Sequence, residues 1–218
     1  MKWTANLAYA VGLITSDGCL SKDGRHIDFT SKDIDQIRTF AKILGLSNKI
    51  ATKSSGSPNN KLCYRIQFGS ISFYHFLVDI GLTPRKSKTI NALNIPDLFF
   101  ADFLRGLFDG DGYTYSYWDK RWKHSFLLYL GFVSASKKFL AWIQSTTVRL
   151  YNVSGALKFE RGSTYSLKFA KRESIVILQK IYYQPNLPHL KRKYSKIQHC
   201  LGIIGKHAGV AKLEDALS

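Results

Sequence analysis

The sequence predicts an α+β protein built from two αββαββα halves that are related by an approximate twofold axis. Three observations indicate this fold class: a short motif occurs twice, each copy precedes the same order of helices and strands, and the strands alternate apolar with polar residues. Each half is expected to form a four-stranded antiparallel sheet with helices on one face only. The two motif helices would then pack at the centre, between two uncovered sheet faces that together form a saddle.

The repeated motif covers Ala10–Gly18 in the first copy and Leu104–Gly112 in the second. A constant offset places Asp17 on Asp111 and superposes the glycines of the two copies. Each copy is preceded by a candidate N-cap and ends in a glycine that can stop a helix. The motif therefore predicts two helices, each ending in an acid.

Gly12 and Gly106 lie inside these helices, where glycine costs about 0.5–1 kcal/mol relative to alanine. Residues four apart share a helix face, so Gly12 and Ser16 form one narrow stripe, and Gly106 and Gly110 form its counterpart. Stripes of small residues let two helix backbones approach closely. We expect Gly12 and Gly106 to meet at the interface between the motif helices.

Helices that pack in the same sense bring Asp17 and Asp111 side by side at their C-terminal ends. Two carboxylates there repel each other and the helix dipole. A bound divalent cation relieves that repulsion, and hard oxygen ligands favour Mg²⁺.

Composition points to a polyanionic partner. The 218 residues include 32 Lys and Arg against 15 Asp and Glu, a net charge of +17, and the apolar fraction of 45% is enough for a core. No apolar run is long enough to span a membrane, and no signal-peptide pattern is present. Three scattered cysteines without a Cys-x-x-Cys pair argue against disulfides and zinc, so the expected location is intracellular, in the cytoplasm or an organelle matrix.

The remaining elements of the first half follow from turn signals and periodicity. The Asp-Gly pair at 23–24 predicts a hairpin, apolar residues at helical spacing up to Gly45 predict a helix, and a Ser/Gly/Pro/Asn-rich loop at 54–60 predicts a second hairpin. In chain order, the expected elements are strands Cys19–Ser21 and Arg25–Ser31, helix Ile34–Leu44, strands Lys49–Ser54 and Lys61–Gly69, and helix Ile71–Ile80.

The second half repeats this order after its motif helix, for which Asp97 is the candidate N-cap. Its expected elements are strands Tyr113–Tyr117 and Ser125–Ser134, helix Lys137–Leu150, strands Gly155–Arg161 and Thr164–Ala170, and helix Glu173–Tyr182. The chain thus divides into a first half at 1–82, a linker at 83–96, a second half at 97–183 and a basic C-terminal extension at 184–218. A final basic helix is expected from Leu190 to Leu201.

Strand alternation leaves one face of each sheet polar and largely basic. Strands can enter the major groove of duplex DNA, where Arg, Lys and Gln have preferred base partners. The residues predicted to face the groove are Lys49, Lys53, Arg65, Gln67, Tyr113, Tyr115, Tyr117, Lys158, Arg161, Ser166 and Lys168.

At its two motifs the chain resembles the LAGLIDADG homing endonucleases, in their single-chain form with two motif copies. The second copy keeps the acid-Gly-acid-Gly ending, whereas the first has Thr15 in place of its earlier acid. The resemblance implies a monomer with pseudo-dimer symmetry that is encoded by a mobile genetic element. It also implies metal-dependent double-strand breaks with short 3′ overhangs at a long, asymmetric site in double-stranded DNA.

The resemblance also assigns roles to residues. Metal ligands would be Asp17, Asp111 and the carbonyl groups of Ser16 and Gly110, with Mg²⁺ as cofactor, Mn²⁺ as a substitute and Ca²⁺ binding without supporting cleavage. Catalytic lysines would be Lys86 and Lys193, because an Arg-Lys pair follows the closing helix of each half, with Lys88 and Lys191 as rivals. Ser31 and Ser134 stand where some relatives have glutamine.

Two other functions remain open at the level of sequence. Some members of the family are intron maturases that bind RNA, and a third possibility is a DNA-binding regulator that lacks the chemistry. Basic charge does not separate these functions, although the presence of both acids argues against the regulator.

Overall fold

The computed structural model of the chain describes residues 1–54, 62–122, 125–160 and 162–217, with side chains given as far as Lys206 except for Ser54. The first half contains, in chain order, α1 (Ala5–Asp17), β1 (Gly18–Leu20), β2 (His26–Ser31), α2 (Ile34–Leu44), β3 (Ala51–Ser54), β4 (Leu62–Gly69) and α3 (Ile71–Asp79). After a short 3-10 turn at Asp97–Phe99, the second half contains α4 (Phe100–Asp111), β5 (Tyr113–Trp118), β6 (Phe126–Ser134), α5 (Lys137–Tyr151), β7 (Ala156–Glu160), β8 (Thr164–Phe169) and α6 (Lys171–Ile181).

The two halves have the same topology. Each forms a four-stranded antiparallel sheet, in the order β1-β2-β4-β3 in the first half and β5-β6-β8-β7 in the second. Even-numbered residues of β6 from Phe126 to Phe132 are buried against the helices, which leaves the odd-numbered face uncovered. The prediction of an α+β fold with two αββαββα halves is confirmed.

One helix start differs from the sequence prediction. Thr4 caps α1 as expected, since its hydroxyl accepts a hydrogen bond from the amide of Leu7 (3.1 Å). Asp97 does not cap α4, and that prediction was wrong. Its carboxylate instead forms an ion pair with Arg149 of α5 (Nη2 to Oδ1, 2.6 Å), while α4 begins at Phe100.

The linker at 83–96 packs against the protein rather than crossing solvent. Ile90, Leu93 and Ile95 are buried, and the hydroxyl of Ser136 donates to the carbonyl of Ile90 (2.5 Å). These contacts hold the connection between the halves close to the motif helices.

The C-terminal extension forms one long helix, α7 (Lys191–Leu217), which continues well beyond Leu201, where we expected it to end. Ile197 and Cys200 are buried against the second half, and Lys196 donates to the carbonyl of Thr114 in β5 (2.7 Å). No helix within the described ranges combines the length and the apolar character that a bilayer crossing requires.

Helices α1 and α4 cross in backbone contact at their central glycines. A Cβ atom on Gly12 would lie 2.2 Å from the carbonyl oxygen of Phe103, and one on Gly106 would lie 2.1 Å from that of Tyr9. Real Cβ atoms do not approach backbone so closely, so only glycine fits at these two positions. The prediction that Gly12 and Gly106 form the helix interface is confirmed in the fold.

We expect Gly106→Ala to lower the free energy of unfolding by about 3 kcal/mol, because the added methyl group forces two packed backbones apart. Gly202→Ala is the matched control, since this helical glycine has open space around it and alanine favours helix. Urea unfolding of both variants measures the difference. Equal stability of the two variants would contradict the close approach of α1 and α4.

Candidate active site

Asp17 and Asp111 are the last residues of α1 and α4, and the glycine crossing places these helix ends next to each other. A Cβ atom on Gly110 would lie 1.9 Å from the hydroxyl of Ser16 and 2.9 Å from Oδ2 of Asp17. The carboxylate of Asp17 therefore contacts the last turn of the opposite helix, one residue before Asp111. The structure brings together the two acids that the sequence pairs.

Both acids have raised pKa values. Solvent reaches each carboxylate, yet enough protein surrounds them that desolvation, together with the nearby charge of Asp111, raises the pKa of Asp17 to about 6. Desolvation likewise raises the pKa of Asp111, and in both cases the ammonium groups of Lys193 and Lys86 oppose the shift. An acid pair of this kind favours a bound cation.

Lys86 and Lys193 take corresponding places in the two halves. Lys86 is buried and donates to the carbonyl of Gly18, just beyond Asp17, and Lys193 donates to the equivalent carbonyl of Gly112 (2.6 Å). Desolvation lowers the pKa of Lys86, and it lowers that of Lys193 to about 8.

The rival lysines lie elsewhere. Lys88 is exposed, and Lys191 is 80% exposed, with its ammonium 3.9 Å from the carboxylate of Asp35. The structure thus brings Lys86 and Lys193 to the helix ends and leaves Lys88 and Lys191 outside this arrangement.

The donor set at the helix ends fits a hard divalent cation. Two carboxylates and the carbonyl oxygens of Ser16 and Gly110 are all oxygen ligands, as Mg²⁺ requires. The described residues contain no cluster of three or more His, Cys, Asp or Glu side chains that could hold a metal. The carbonyl of Gly110 also accepts from Lys193 (2.9 Å), so its second lone pair would have to serve the metal.

A pocket of about 240 Å³ opens beside Asp111. Lys86, Asp111 and Ser134 line it, together with Ser16 at the end of α1. Ser31 is not among its lining residues and instead donates to Oε1 of Gln36 (2.6 Å). Of these two serines, Ser134 is the one beside the candidate site.

The uncovered faces differ between the halves. In the first half, Lys49, Lys53 and Gln67 are exposed, and Arg65 forms an ion pair with Asp28 of the neighbouring strand. Lys49 precedes β3 rather than lying in it. This face is rich in hydrogen-bonding groups and carries both signs of charge.

In the second half, tyrosines form a row on the uncovered face. The rings of Tyr113, Tyr115 and Tyr117 are nearly parallel at 6.3 Å spacing, and Tyr129 stacks on Tyr115 at 4.7 Å. The ammonium of Lys168 lies 5.1 Å from the Tyr129 ring centre, a cation–π contact. This face is aromatic and basic.

The remaining residues of the second half that were predicted to face the DNA groove differ in their exposure. Lys158 is exposed on β7. Ser166 faces the same side but is buried, and its hydroxyl donates to Oε1 of Glu160 (2.6 Å). Arg161 lies outside the described residues.

A buried polar network that the sequence pattern does not predict joins the motif helices to the chain before α7. Asp109 and Arg105 of α4 are almost fully buried and bond with Tyr9, Tyr182 and the chain before α7. The local signal was that Arg105 and Asp109 lie four residues apart, on one face of α4.

Comparison with solved structures finds this fold in LAGLIDADG proteins. The homing endonuclease I-WcaI bound to its DNA recognition sequence matches with a TM-score of 0.60 and 15% identity, over 82% of this chain and 83% of that chain. I-DmoI in complex with DNA and Mn matches with a TM-score of 0.53 and 18% identity, over 83% of this chain and 97% of that chain. Full-length DUF199/WhiA from Thermatoga maritima matches with a TM-score of 0.59 and 16% identity, over 100% of this chain and 68% of that chain.

No protein-family model and no curated protein matches the sequence. The structural matches cover most of the chain, and they confirm the predicted resemblance at the level of fold. The chain has the two-halved LAGLIDADG homing endonuclease fold.

The raised pKa of Asp17 predicts a pH-dependent stability for the metal-free protein. Between about pH 4 and 6 the folded state holds a proton that the unfolded state has lost, so stability falls as pH rises through this window. Asp17→Asn removes the free-energy cost of ionising this carboxyl group in the folded state. We therefore expect the variant to have a higher melting temperature than the wild type at pH 7.5 in the presence of a chelator. The difference in melting temperature should disappear by pH 4.

Thermal unfolding from pH 4 to 8 measures this effect. The control is Asp79→Asn, which removes an exposed acid from the last position of α3. If Asp79→Asn raised the melting temperature with the same pH dependence, removal of any acid at a helix end would explain the effect. The result would then give no support to the pairing of Asp17 with Asp111.

Proposed function

We propose that this chain is a monomeric, site-specific DNA endonuclease that makes metal-dependent double-strand breaks with short 3′ overhangs. The observation that carries the proposal is the pairing of Asp17 with Asp111 at crossing helix ends, beside the buried Lys86 and the half-buried Lys193. Ordinary helix ends do not bring two desolvated acids and two desolvated ammonium groups together without a chemical reason.

The site has the groups that phosphodiester hydrolysis needs. A divalent ion held by Asp17, Asp111 and the carbonyl groups of Ser16 and Gly110 would balance the charge that develops on phosphorus. Mg²⁺ is the expected cofactor, with Mn²⁺ as a substitute and Ca²⁺ binding without cleavage, and the I-DmoI match was solved with Mn.

Lys86 and Lys193 are proposed as the catalytic cations. Their ammonium groups are held by backbone carbonyls at the helix ends, where they can orient water or stabilise the charged phosphate. Because burial brings the pKa of Lys193 to about 8, this group can also release a proton near neutral pH.

Double-stranded DNA is the proposed substrate. The net charge of +17 favours a polyanion, and the two uncovered sheet faces flank the acids. We propose that the groove-facing set contacts DNA directly: Lys49, Lys53, Arg65, Gln67, Tyr113, Tyr115, Tyr117, Lys158, Arg161, Ser166 and Lys168. Ser166 would first have to exchange its bond with Glu160 for one with the DNA.

The chemistry of the faces supports an asymmetric site. The first face offers an Arg–Asp pair and amide groups, which suit hydrogen bonds to base edges, whereas the second offers tyrosine rings. Both motif helices lie in one chain, so the acid pair forms without a second copy. Such an enzyme, encoded by a mobile element, would act in the cytoplasm or an organelle matrix.

A binding protein without nuclease activity is the second candidate, since WhiA has the same fold. An RNA-binding maturase is a related candidate, and the tyrosine row could stack on unpaired bases. Binding assays with duplex DNA and structured RNA of equal length, across a salt series, separate these functions. Tight duplex binding without cleavage in Mg²⁺ or Mn²⁺ would favour the regulator, and a clear RNA preference would favour the maturase.

Asp17→Asn and Asp111→Asn should each slow linearisation of a supercoiled target plasmid by at least about 100-fold and leave nicked circles. The plasmid would carry a site selected by binding from a randomised library, and the exposed Asp79→Asn serves as control. If either active-site variant linearised the plasmid as fast as the wild type, the proposal that each acid serves the cleavage of one DNA strand would be wrong.

Lys86→Met and Lys193→Met should lower the single-turnover cleavage rate by roughly 100-fold while changing DNA affinity little, because each removes a cation held at the proposed scissile region. Lys88→Met is the matched control for an exposed lysine of the same basic segment. If Lys88→Met were as slow as Lys86→Met, the assignment of Lys86 would be wrong.

A further inference from the structure

We propose that Asp109, together with Arg105, is a positioning residue that holds Lys193 at the end of α4. The inference rests on the proposed function and deepens it, because it names what places one of the two proposed catalytic cations. It also implies that the two halves hold their lysines by different means.

Asp109 gathers three donors from three parts of the chain. Its side chain is 1% exposed and accepts hydrogen bonds from the hydroxyl of Tyr9 (2.8 Å), the hydroxyl of Tyr182 (3.2 Å) and the amide of Leu190 (2.8 Å). Tyr9 belongs to α1, so the network also crosses between the halves. Breaking it leaves buried donors unpaired, which is costly.

Leu190 connects this carboxylate to Lys193. The carbonyl of Leu190 accepts from the amides of Lys193 and Tyr194 (3.0 Å each), and these bonds start α7. Asp109 holds the amide of the same residue, so it sets where α7 begins. The Lys193 ammonium then reaches back to the carbonyls of Phe108 (2.6 Å) and Gly110 (2.9 Å) on either side of Asp109.

Arg105 holds the segment before Leu190. Its guanidinium donates to the carbonyl oxygens of Ile181 (2.9 Å) and Pro188 (2.9 Å) and forms an ion pair with Asp102 (2.8 Å). The side chain is fully buried and lies against the ring of Tyr9. Arg105 and Asp109, one helical turn apart, thus anchor the chain that delivers Lys193.

Among the described residues of the first half there is no such anchor. Thr15 stands in the place of Asp109 and donates only to the carbonyl of Val11 in its own helix (2.8 Å), and Val11 itself stands in the place of Arg105. Lys86 donates to the single carbonyl of Gly18, whereas Lys193 donates to three carbonyls. Loss of Asp109 should therefore affect Lys193 and spare Lys86.

The first test reads the lysines directly and needs no DNA. The full chain is treated with a limiting amine-acylating reagent, and labelling of Lys193 and Lys86 is quantified by mass spectrometry. Asp109→Ala should raise Lys193 labelling at least about fivefold while Lys86 stays within twofold, since a half-buried amine held by three carbonyl groups reacts slowly until its segment is released. Thr15→Val, at the equivalent position, should change neither lysine.

The second test is a double-mutant cycle on the single-turnover cleavage rate. Asp109→Ala should slow cleavage by about tenfold in the wild type but by less than about twofold in a Lys193→Ala background, because a residue that acts through another loses its effect when that residue is absent. A merely structural role would lower the rate by the same factor in both backgrounds.

Asp109→Asn keeps the hydrogen-bond acceptor for Leu190 and provides a variant that folds if the alanine variant does not. It should give intermediate values in both tests. Unchanged Lys193 labelling in a folded Asp109 variant, or equal rate losses in the two backgrounds, would overturn the proposal. If the wild type cleaves no DNA, the proposed function fails, and the labelling test still decides the positioning role.

Discussion

Backbone contact between α1 and α4 is the constraint on which the rest of the structure depends. With a Cβ atom at Gly12 or Gly106 the helices would be held apart by the carbonyl oxygens they now touch. The crossing brings the two helix ends together and so determines where both acids, both lysines and both sheets lie. A change in the distance between α1 and α4 would alter both the candidate site and the relative position of the two sheets.

This arrangement carries an electrostatic cost at the helix ends. Two acids sit where helix dipoles already disfavour negative charge, and desolvation raises the pKa of both. Lys86 and Lys193 offset part of the cost, although burial lowers their own pKa values. Under the proposed function, a divalent ion would relieve the repulsion between the two acids, and a phosphate group would pair with the two ammonium groups.

The two halves share a topology but differ in the residues on their sheet faces and in the contacts that hold their lysines. The first half presents hydrogen-bonding and charged groups on its sheet and places Lys86 through one carbonyl bond. The second presents a row of tyrosines and anchors Lys193 through Asp109, Arg105 and the start of α7. Duplication supplies two equivalent positions, and divergence gives the two sheet faces different chemistry.

The sequence alone determined the repeat, the order of elements, the glycine crossing and the pairing of Asp17 with Asp111. Those features follow from local periodicity and from a motif that occurs twice, so nearby residues encode them. Only the tertiary structure placed Lys86 and Lys193, rather than Lys88 and Lys191, at the helix ends. It also buried Ser166, moved Asp97 from a cap to an ion pair, and joined Asp109 to Leu190. These contacts join residues far apart in the chain, where neither spacing nor propensity carries a signal, and their geometry exists only once the two halves have packed.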